Sequence, residues 1–300
     1  MSTRTTQVAD REKTAERLLN SSARNSYDPQ VDIDWDAPLL PGTYYLPQHR
    51  ISLYGTDLWE QLTEEQRIEL SKHEVASMAS NGIWFEVILM QLLTKYTYRR
   101  DPTRRHVQYA LTEVADECRH SIMFARMIEK FGCPAYGPQK LAYQLGKVLT
   151  AVGNGPSMFA AILIAEEVLD RLQRESMADE SIQPLVRMVN RIHVVEEARH
   201  VRFAREEVVR TMRRCGPAAR AHHRMITALN AYFIVNSLIH PRVYAAVGLD
   251  PVRARKAALA NPHYQQTLRW AGERIVSFLD EVGLIGNPGM SLWRKSFLIA

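Results

Sequence analysis

A stripe of polar residues inside a long apolar segment constrains this 300-residue chain more than any other feature. His193, Glu197 and His200 are spaced i, i+4 and i+7, so on an α-helix they lie along one face. The apolar residues that flank this stripe are Ile192, Val195 and Phe203. Because burying unpaired polar groups costs several kcal/mol, a buried stripe of this kind favours a metal site.

A second segment carries a related unit. Glu117 and His120 are three residues apart and project from one helical face, as Glu197 and His200 do. Carboxylate-bridged dimetal proteins place such a Glu-x-x-His unit on each of two helices of a four-helix bundle. One unit alone is a weak signal, since any long helix rich in Glu and His can contain it. Two such units in one chain are a much stronger signal of a dimetal site.

Bundle sites of this type take one further glutamate from each of the two remaining helices. Glu86 lies in the apolar run Gly82–Met90, and Glu166 lies in the apolar run Ile162–Leu169. Glu167 follows directly, and its spacing leaves the choice between Glu166 and Glu167 open. The order along the chain is then one metal-binding element for each of four successive helices.

The charge of these glutamates also favours metal. Glu86, Glu117, Glu166 and Glu197 would bring four negative charges into one interior, where carboxylates protonate unless cations balance them. Two divalent ions cancel these charges, and two trivalent ions with a peroxide or oxide dianion also sum to neutral. Carboxylate and imidazole ligands suit iron, with manganese as the alternative metal. We therefore predict two iron ions.

Apolar periodicity and capping signals predict an all-α chain. Thr63 to Gln66 has the form of a capping box and begins a helix that runs to about Tyr98, with a candidate break at Asn81-Gly82. The other predicted helices cover about 8–24, Asp101-Pro102 to Gly132, Pro156 to about Glu180, Pro184 to Cys215-Gly216, 217–239, 250–260 and 262–283. Residues 1–55 are predicted to be an N-terminal accessory segment, and 56–300 the bundle domain that holds the metal site.

Composition narrows the class of protein. The formal net charge of +5 is modest and arginines mix with acids, which predicts no nucleic-acid partner. Cys118, Cys133 and Cys215 form no CxxC pair, as expected for free thiols in the cytoplasm. The most apolar stretches are short or are interrupted by Glu86 and Gln91, so no membrane span is expected.

These motifs resemble those of the non-haem di-iron N-oxygenases related to p-aminobenzoate N-oxygenase. The resemblance covers about residues 70–240 and rests on Glu86, Asp116-Glu117-x-x-His120, Ala165-Glu166 and His193-x3-Glu197-x2-His200. His193 is the most telling residue, because ordinary ferritin-like sites lack a histidine there. The family's alanine-glutamate pair selects Glu166 over Glu167.

The resemblance implies a ferritin-like four-helix bundle with additional peripheral helices. It implies that O2 is reduced at two irons and that a peroxo species oxidises an aromatic amine through hydroxylamine and nitroso stages toward a nitro group. No substrate-binding residue follows from it. The implied metal ligands are Glu86, Glu117, His120, Glu166, His193, Glu197 and His200.

Residues around the predicted site have expected roles as well. Asp116 lies one turn before His120 and Glu196 one turn before His200, so these acids are candidates to orient the imidazoles. Candidates to shape a pocket for a flat substrate, with core packing as the alternative, are Met78, Trp84, Phe85 and Phe159. No flavin, nicotinamide or iron–sulfur motif is visible, so we expect an external electron donor. A homodimer is expected on base rates.

Other functions fit the same ligands. A di-iron hydroxylase or desaturase of another small substrate is the main alternative, and only His193 argues against it. A radical-generating subunit like that of ribonucleotide reductase is disfavoured, because Phe124 stands where a tyrosine is expected. A non-enzymatic ferritin-like iron-binding protein and a helical interaction protein with accidental spacing rank lower.

Overall fold

The computed structural model describes residues 10–300, apart from the side chain of Val152. The described residues form α-helices and two 3₁₀ helices without a β-strand, which confirms the predicted all-α fold. The α-helices are α1 (Arg11–Arg24), α2 (Pro29–Asp32), α3 (Asp57–Glu60), α4 (Glu64–Tyr98), α5 (Arg105–Phe131), α6 (Lys140–Val152), α7 (Gly155–Ala178), α8 (Pro184–Met212), α9 (Pro217–Ser237), α10 (Pro251–Ala260), α11 (Pro262–Glu281) and α12 (Met290–Lys295).

Four long helices form the central bundle. α4 packs along α5 and α7 along α8, while contacts of α5 with α8 and of α4 with α7 close the ring. Their apolar side chains make up much of the buried core, as expected for helices that bury a stripe against neighbours. α1 covers the outside of α5 and α8, and α9 and α11 pack against α7. These are the additional peripheral helices that the sequence predicts.

The N-terminus of α4 confirms the predicted capping box, in which Thr63 and Gln66 exchange side-chain and backbone hydrogen bonds. The helix is continuous through the candidate break at Asn81-Gly82, and the side-chain amide of Asn81 donates to the carbonyl of Ser77 within the helix. α4 is long and apolar enough to cross a membrane, but 61% of its most apolar window is buried, as in a core helix.

Several predicted boundaries are wrong by a turn or less. α5 begins at Arg105 because the Asp101 carboxylate accepts hydrogen bonds from Thr103 and closes a turn instead of capping the helix. α8 ends at Met212, before Cys215, where its last carbonyl accepts from the Cys215 amide. Four of the described helices, α2, α3, α6 and α12, were not predicted. Residues 8 and 9 of the first predicted helix lie outside the described residues.

A buried acid on α4 lies apart from the predicted metal site. Glu74 is 1% exposed, and its carboxylate accepts hydrogen bonds from the backbone amide and hydroxyl of Ser52. The same hydroxyl lies 2.9 Å from the Tyr244 hydroxyl. Burial raises the pKa of Glu74 from 4.5 to about 7, although the hydrogen bonds of Ser52 oppose the shift.

This pKa predicts a pH-dependent stability. Because the folded state binds the Glu74 proton more tightly than the unfolded state, the stabilisation is full below the unfolded pKa and is lost as pH rises through about 7. From about pH 5 to about pH 8, we expect the free energy of unfolding to fall by up to about 3 kcal/mol relative to Glu74→Gln. Urea denaturation measures this difference. The exposed-site variant Glu16→Gln should follow the wild type, and a pH-independent difference for Glu74→Gln would contradict the ionisation.

Candidate metal centre

The bundle interior brings together all seven predicted ligand side chains. α4 supplies one of them, α5 two, α7 one and α8 three. Each is at most 4% exposed, although every one is ionisable. They are Glu86, Glu117, His120, Glu166, His193, Glu197 and His200.

Two glutamates lie between two histidines at the centre of the cluster. The Glu117 oxygens Oε2 and Oε1 are each 2.9 Å from Nδ1 of His120 and of His200, respectively. Glu197 Oε1 lies 3.2 Å from His120 Nδ1 and 3.0 Å from His200 Nδ1. Both imidazoles therefore present Nδ1 to the cluster, and both carboxylates have the position of a bridging ligand.

His193 lies on the side of the cluster where α4 and α7 each contribute one glutamate. Its Nε2 lies 3.4 Å from Glu86 Oε1, 3.7 Å from Glu197 Oε1 and 3.9 Å from Glu166 Oε2. Its Nδ1 is 2.9 Å from Gln173 Oε1, which holds the ring with Nε2 inward. The third histidine of the α8 stripe thus faces the same interior as the other two.

The choice between the two adjacent glutamates of α7 is also resolved. Glu166 faces the cluster, whereas Glu167 points away and forms a bidentate ion pair with Arg205. A helix turns 100° per residue, so neighbouring side chains cannot share one face. Glu166 is therefore the member of this pair whose carboxylate lies near the other predicted ligands.

The donor set fits two metal ions. Four overlapping groups of three residues have ligand atoms within 4.8 Å of one another. Glu86 Oε2 and Glu197 Oε2 are buried and have no hydrogen-bond partner among the described residues, which is costly unless a cation contacts them. The groups are Glu86–His120–His193, Glu113–Glu117–His200, Glu117–His120–Glu197 and Glu166–His193–Glu197.

The four carboxyl groups differ in their protonation. Burial, reinforced by neighbouring carboxylates, raises the pKa of Glu86 and Glu166 well above its ordinary range. Burial also opposes ionisation of Glu117, as does Glu197, but His200 and His120 outweigh them and hold the pKa of Glu117 at about 2.

The histidines differ in the same way. Burial lowers the pKa of His193 to about 4, so its imidazole is neutral, the form that binds a metal ion. Burial also disfavours the charged forms of His120 and His200, yet the surrounding glutamates raise the pKa of both. Protons thus balance the carboxylates in the metal-free site, and metal ions would replace those protons.

Two further acids hold the outer nitrogens of the histidines. Glu196 Oε2 lies 2.8 Å from Nε2 of His120, and Asp116 Oδ2 lies 3.1 Å from Nε2 of His200. The sequence placed each acid beside the histidine of its own helix, and this pairing is wrong. Each Nδ1 already faces the glutamate three residues earlier on its helix, which leaves Nε2 to reach across the α5–α8 interface.

The N-terminal segment supports this outer layer. The backbone amide of Tyr27 donates to Glu196 Oε1 at 3.0 Å, and Arg199 donates to the Asn25 carbonyl at 3.2 Å. Arg119 forms an ion pair with Asp116. The chain that follows α1 therefore contacts the residues that orient the two histidines.

Sequence reasoning missed one acid beside the cluster. Glu113 is 1% exposed, forms one ligand group with Glu117 and His200, and has an Oε2 that no described residue contacts by a hydrogen bond. Burial raises its pKa well above the ordinary range, so it adds no charge to the metal-free site. Its position four residues before Glu117 places both on one helical face, which was the available signal.

Comparison with known proteins shows to which family this chain belongs. A family model described as p-aminobenzoate N-oxygenase AurF matches residues 8–283. The chain belongs to the p-aminobenzoate N-oxygenase family. The match extends beyond the 70–240 that the motifs cover, and includes α1 and α11. Together with the buried carboxylate–histidine cluster, it makes the chain a di-metal oxygenase.

Other relatives of this N-oxygenase family member are less informative. Uncharacterized proteins of Mycobacterium bovis and Mycobacterium tuberculosis are 29% identical to it over 239 residues, which are 75% of this chain and 68% of each relative. Among solved structures, two variants of an R2-like ligand-binding oxidase with a Mn/Fe cofactor are 13% identical, with TM-scores of 0.48 and 0.49. They cover 94% of this chain and 96% and 95% of the oxidase chains.

Two cavities adjoin the cluster of this family member. The inner cavity, about 50 Å³, lies inside the bundle and includes Met78, Phe85, Glu86, Glu166 and His193 in its wall. The outer cavity, about 280 Å³, lies between α4, α6, α7 and α9 and includes Trp84, Phe85 and Glu166 in its wall. Phe159 lines neither cavity and packs edge-on against Tyr96 in the core. Three of the four predicted pocket residues therefore line a cavity.

Proposed function

We propose that this protein binds two iron ions through the seven clustered side chains and uses O2 to oxidise the nitrogen of an aromatic amine. The observation that carries the proposal is the position of His193, whose Nε2 joins Glu86 and Glu166 inside the cluster. Family membership supports the choice of amine nitrogen as the reacting atom. Iron suits this mixture of carboxylate and imidazole donors.

The reaction balances with an external reductant. An arylamine, O2, two electrons and two protons give an arylhydroxylamine and water, and further oxidation gives nitroso and nitro products. Bound iron would supply the redox chemistry with O2. The described residues supply the surroundings: Gln173, Glu196 and Asp116 orient the imidazoles, and apolar side chains of the inner cavity, such as Phe85 and Phe124, lie beside the cluster.

Product analysis tests this function. Protein loaded with ferrous iron should hold about two irons per chain. After reduction and exposure to O2, it should convert anilines to N-oxygenated products that mass spectrometry detects. Two bound irons with oxygen inserted only into C–H bonds would instead establish the hydroxylase alternative.

Glu196 and Asp116 each contact a histidine of the other helix. Replacing one of these acids should weaken metal binding less than loss of a metal ligand does. Glu196→Gln keeps the shape of the side chain but removes the charge that holds Nε2 of His120. We expect ferrous iron affinity to fall about tenfold or more, because partners of metal-binding histidines contribute at this level. Iron titration followed by absorbance measures the change. Glu206→Gln, on the same helix and outside the cluster, should bind iron as the wild type does.

A further inference from the structure

The two cavities beside the cluster differ in what they can hold. An engineered apolar cavity of about 150 Å³ is large enough to bind benzene. The inner cavity, at about 50 Å³, is too small for an aromatic ring, whereas the outer cavity, at about 280 Å³, exceeds that requirement. Both reach Glu166, so a ring in the outer cavity can place its substituent beside the cluster.

The outer cavity leads from the protein surface to the cluster. His222 and Val148 line it and are exposed, and Glu166 lines it at the buried end. Trp84 and Phe85 supply aromatic surface to its wall. The outer cavity thus has an opening at the protein surface, an apolar middle section and a buried end at the predicted metal ligand Glu166.

The side chains that line the cavities limit the charge that a bound ligand can carry. None of the described residues that line either cavity is a lysine or an arginine. A carboxylate held inside the cavity would have no lysine or arginine partner in the wall, and would lie in the same enclosure as Glu166. Burial of an unpaired charge is far more costly than burial of a neutral group.

One polar group in the wall suits a neutral substituent. Asn230 lines the outer cavity from α9, and among the described residues no group accepts a hydrogen bond from its buried side-chain Nδ2. A buried donor without a partner is costly, and a neutral ether, carbonyl or nitro oxygen on the ligand would satisfy it.

We propose that the outer cavity is the substrate site and that the substrate is an uncharged arylamine without a ring carboxylate, unlike p-aminobenzoate. The inference rests on the proposed function for the identity of the reacting group. The ring lies between Trp84 and Leu229, the amine points to Glu166, and a neutral acceptor on the ring faces Asn230. Entry is between α6 and α9.

Calorimetry on the iron-loaded, reduced protein without O2 tests the site directly. The probes are 4-ethoxyaniline, which is neutral, and 4-aminobenzoate, which is anionic. We expect 4-ethoxyaniline to bind at least about tenfold more tightly. Leu229→Trp, which fills the outer cavity, should weaken its binding by about tenfold or more, and Ile226→Trp is a second variant on the same wall.

Matched control variants distinguish loss of the binding site from a general loss of structure. Gln144→Trp, on the exposed face of α6, should bind as the wild type does. Met225→Trp, on the exposed face of α9, should also bind as the wild type does. Equal binding of the two probes, no binding of 4-ethoxyaniline, or unchanged binding in both cavity-filling variants would overturn the inference.

The outcomes also distinguish this inference from the proposed function. If 4-ethoxyaniline binds and Leu229→Trp weakens it, but O2 yields no N-oxygenated product, the site stands and the proposed function fails. If anilines are N-oxygenated equally well by the wild type and by folded Leu229→Trp and Ile226→Trp, the function stands and the outer cavity is not the substrate site.

Discussion

Loading the metal-free protein with ferrous iron is expected to raise its melting temperature by about 10 °C or more. Two ions would compensate four buried carboxyl groups and contact oxygens that lack hydrogen-bond partners. An ion present at about 1,000 times its Kd stabilises the folded state by about 4 kcal/mol, so two ions contribute about 8 kcal/mol, and each kcal/mol shifts the melting temperature of a chain this size by about 2 °C. Calorimetry with and without iron measures the shift.

The adjacent glutamates of α7 provide matched variants for this experiment. Glu166→Gln removes a predicted ligand and should lose a large part of the iron-dependent shift. Glu167→Gln changes the neighbouring residue, which pairs with Arg205 outside the cluster, and should retain the shift. Equal melting temperatures of the wild type with and without iron would show that the cluster does not bind it.

His193→Ala is expected to leave the fold intact and to disable the site. Removing one buried ring among many core contacts does not dismantle a four-helix bundle, but it removes the imidazole whose Nε2 lies 3.4 Å from Glu86 and 3.9 Å from Glu166. We expect iron content to fall from about two to about one per chain, or O2 consumption to fall at least about 100-fold. Iron analysis and an oxygen electrode measure these.

A histidine outside the cluster serves as the control. His223 lies on α9, where its ring is 2.9 Å from the Ser157 hydroxyl. His223→Ala should keep both the iron content and the O2 consumption of the wild type. Unchanged iron binding and O2 consumption in His193→Ala would remove the observation on which the proposed function rests.

The helices, and the shared faces of Glu117 with His120 and of His193 with Glu197 and His200, were predictable because both depend on helical spacing. Intervals of three, four and seven residues determine which side chains share a face, whatever the helix packs against. His193, Glu197 and His200 therefore had to lie together once the segment was helical. The choice of Glu166 over Glu167 depended instead on the resemblance to a family, since both lie in the same apolar run.

Features that depend on packing between helices were not predictable. The partners of His120 and His200 follow from the distance across the α5–α8 interface, which no spacing within one helix reveals. α6 has no side-chain cap at its N-terminus. It also contains Gly146, where an added Cβ would lie 2.6 Å from Trp84, so its close approach to α4 is a tertiary property.

The two acid–histidine pairs between α5 and α8 also affect how these helices are aligned along each other. Asp116 reaches from α5 to α8, and Glu196 reaches from α8 to α5. A slip of one helix along the other by a single turn, about 5.4 Å, would separate both pairs at once and leave two carboxylates and two imidazole Nε2 atoms without their partners across the interface. The acids that orient the imidazoles therefore also penalise misregistered helices, and they do so before any metal ion arrives.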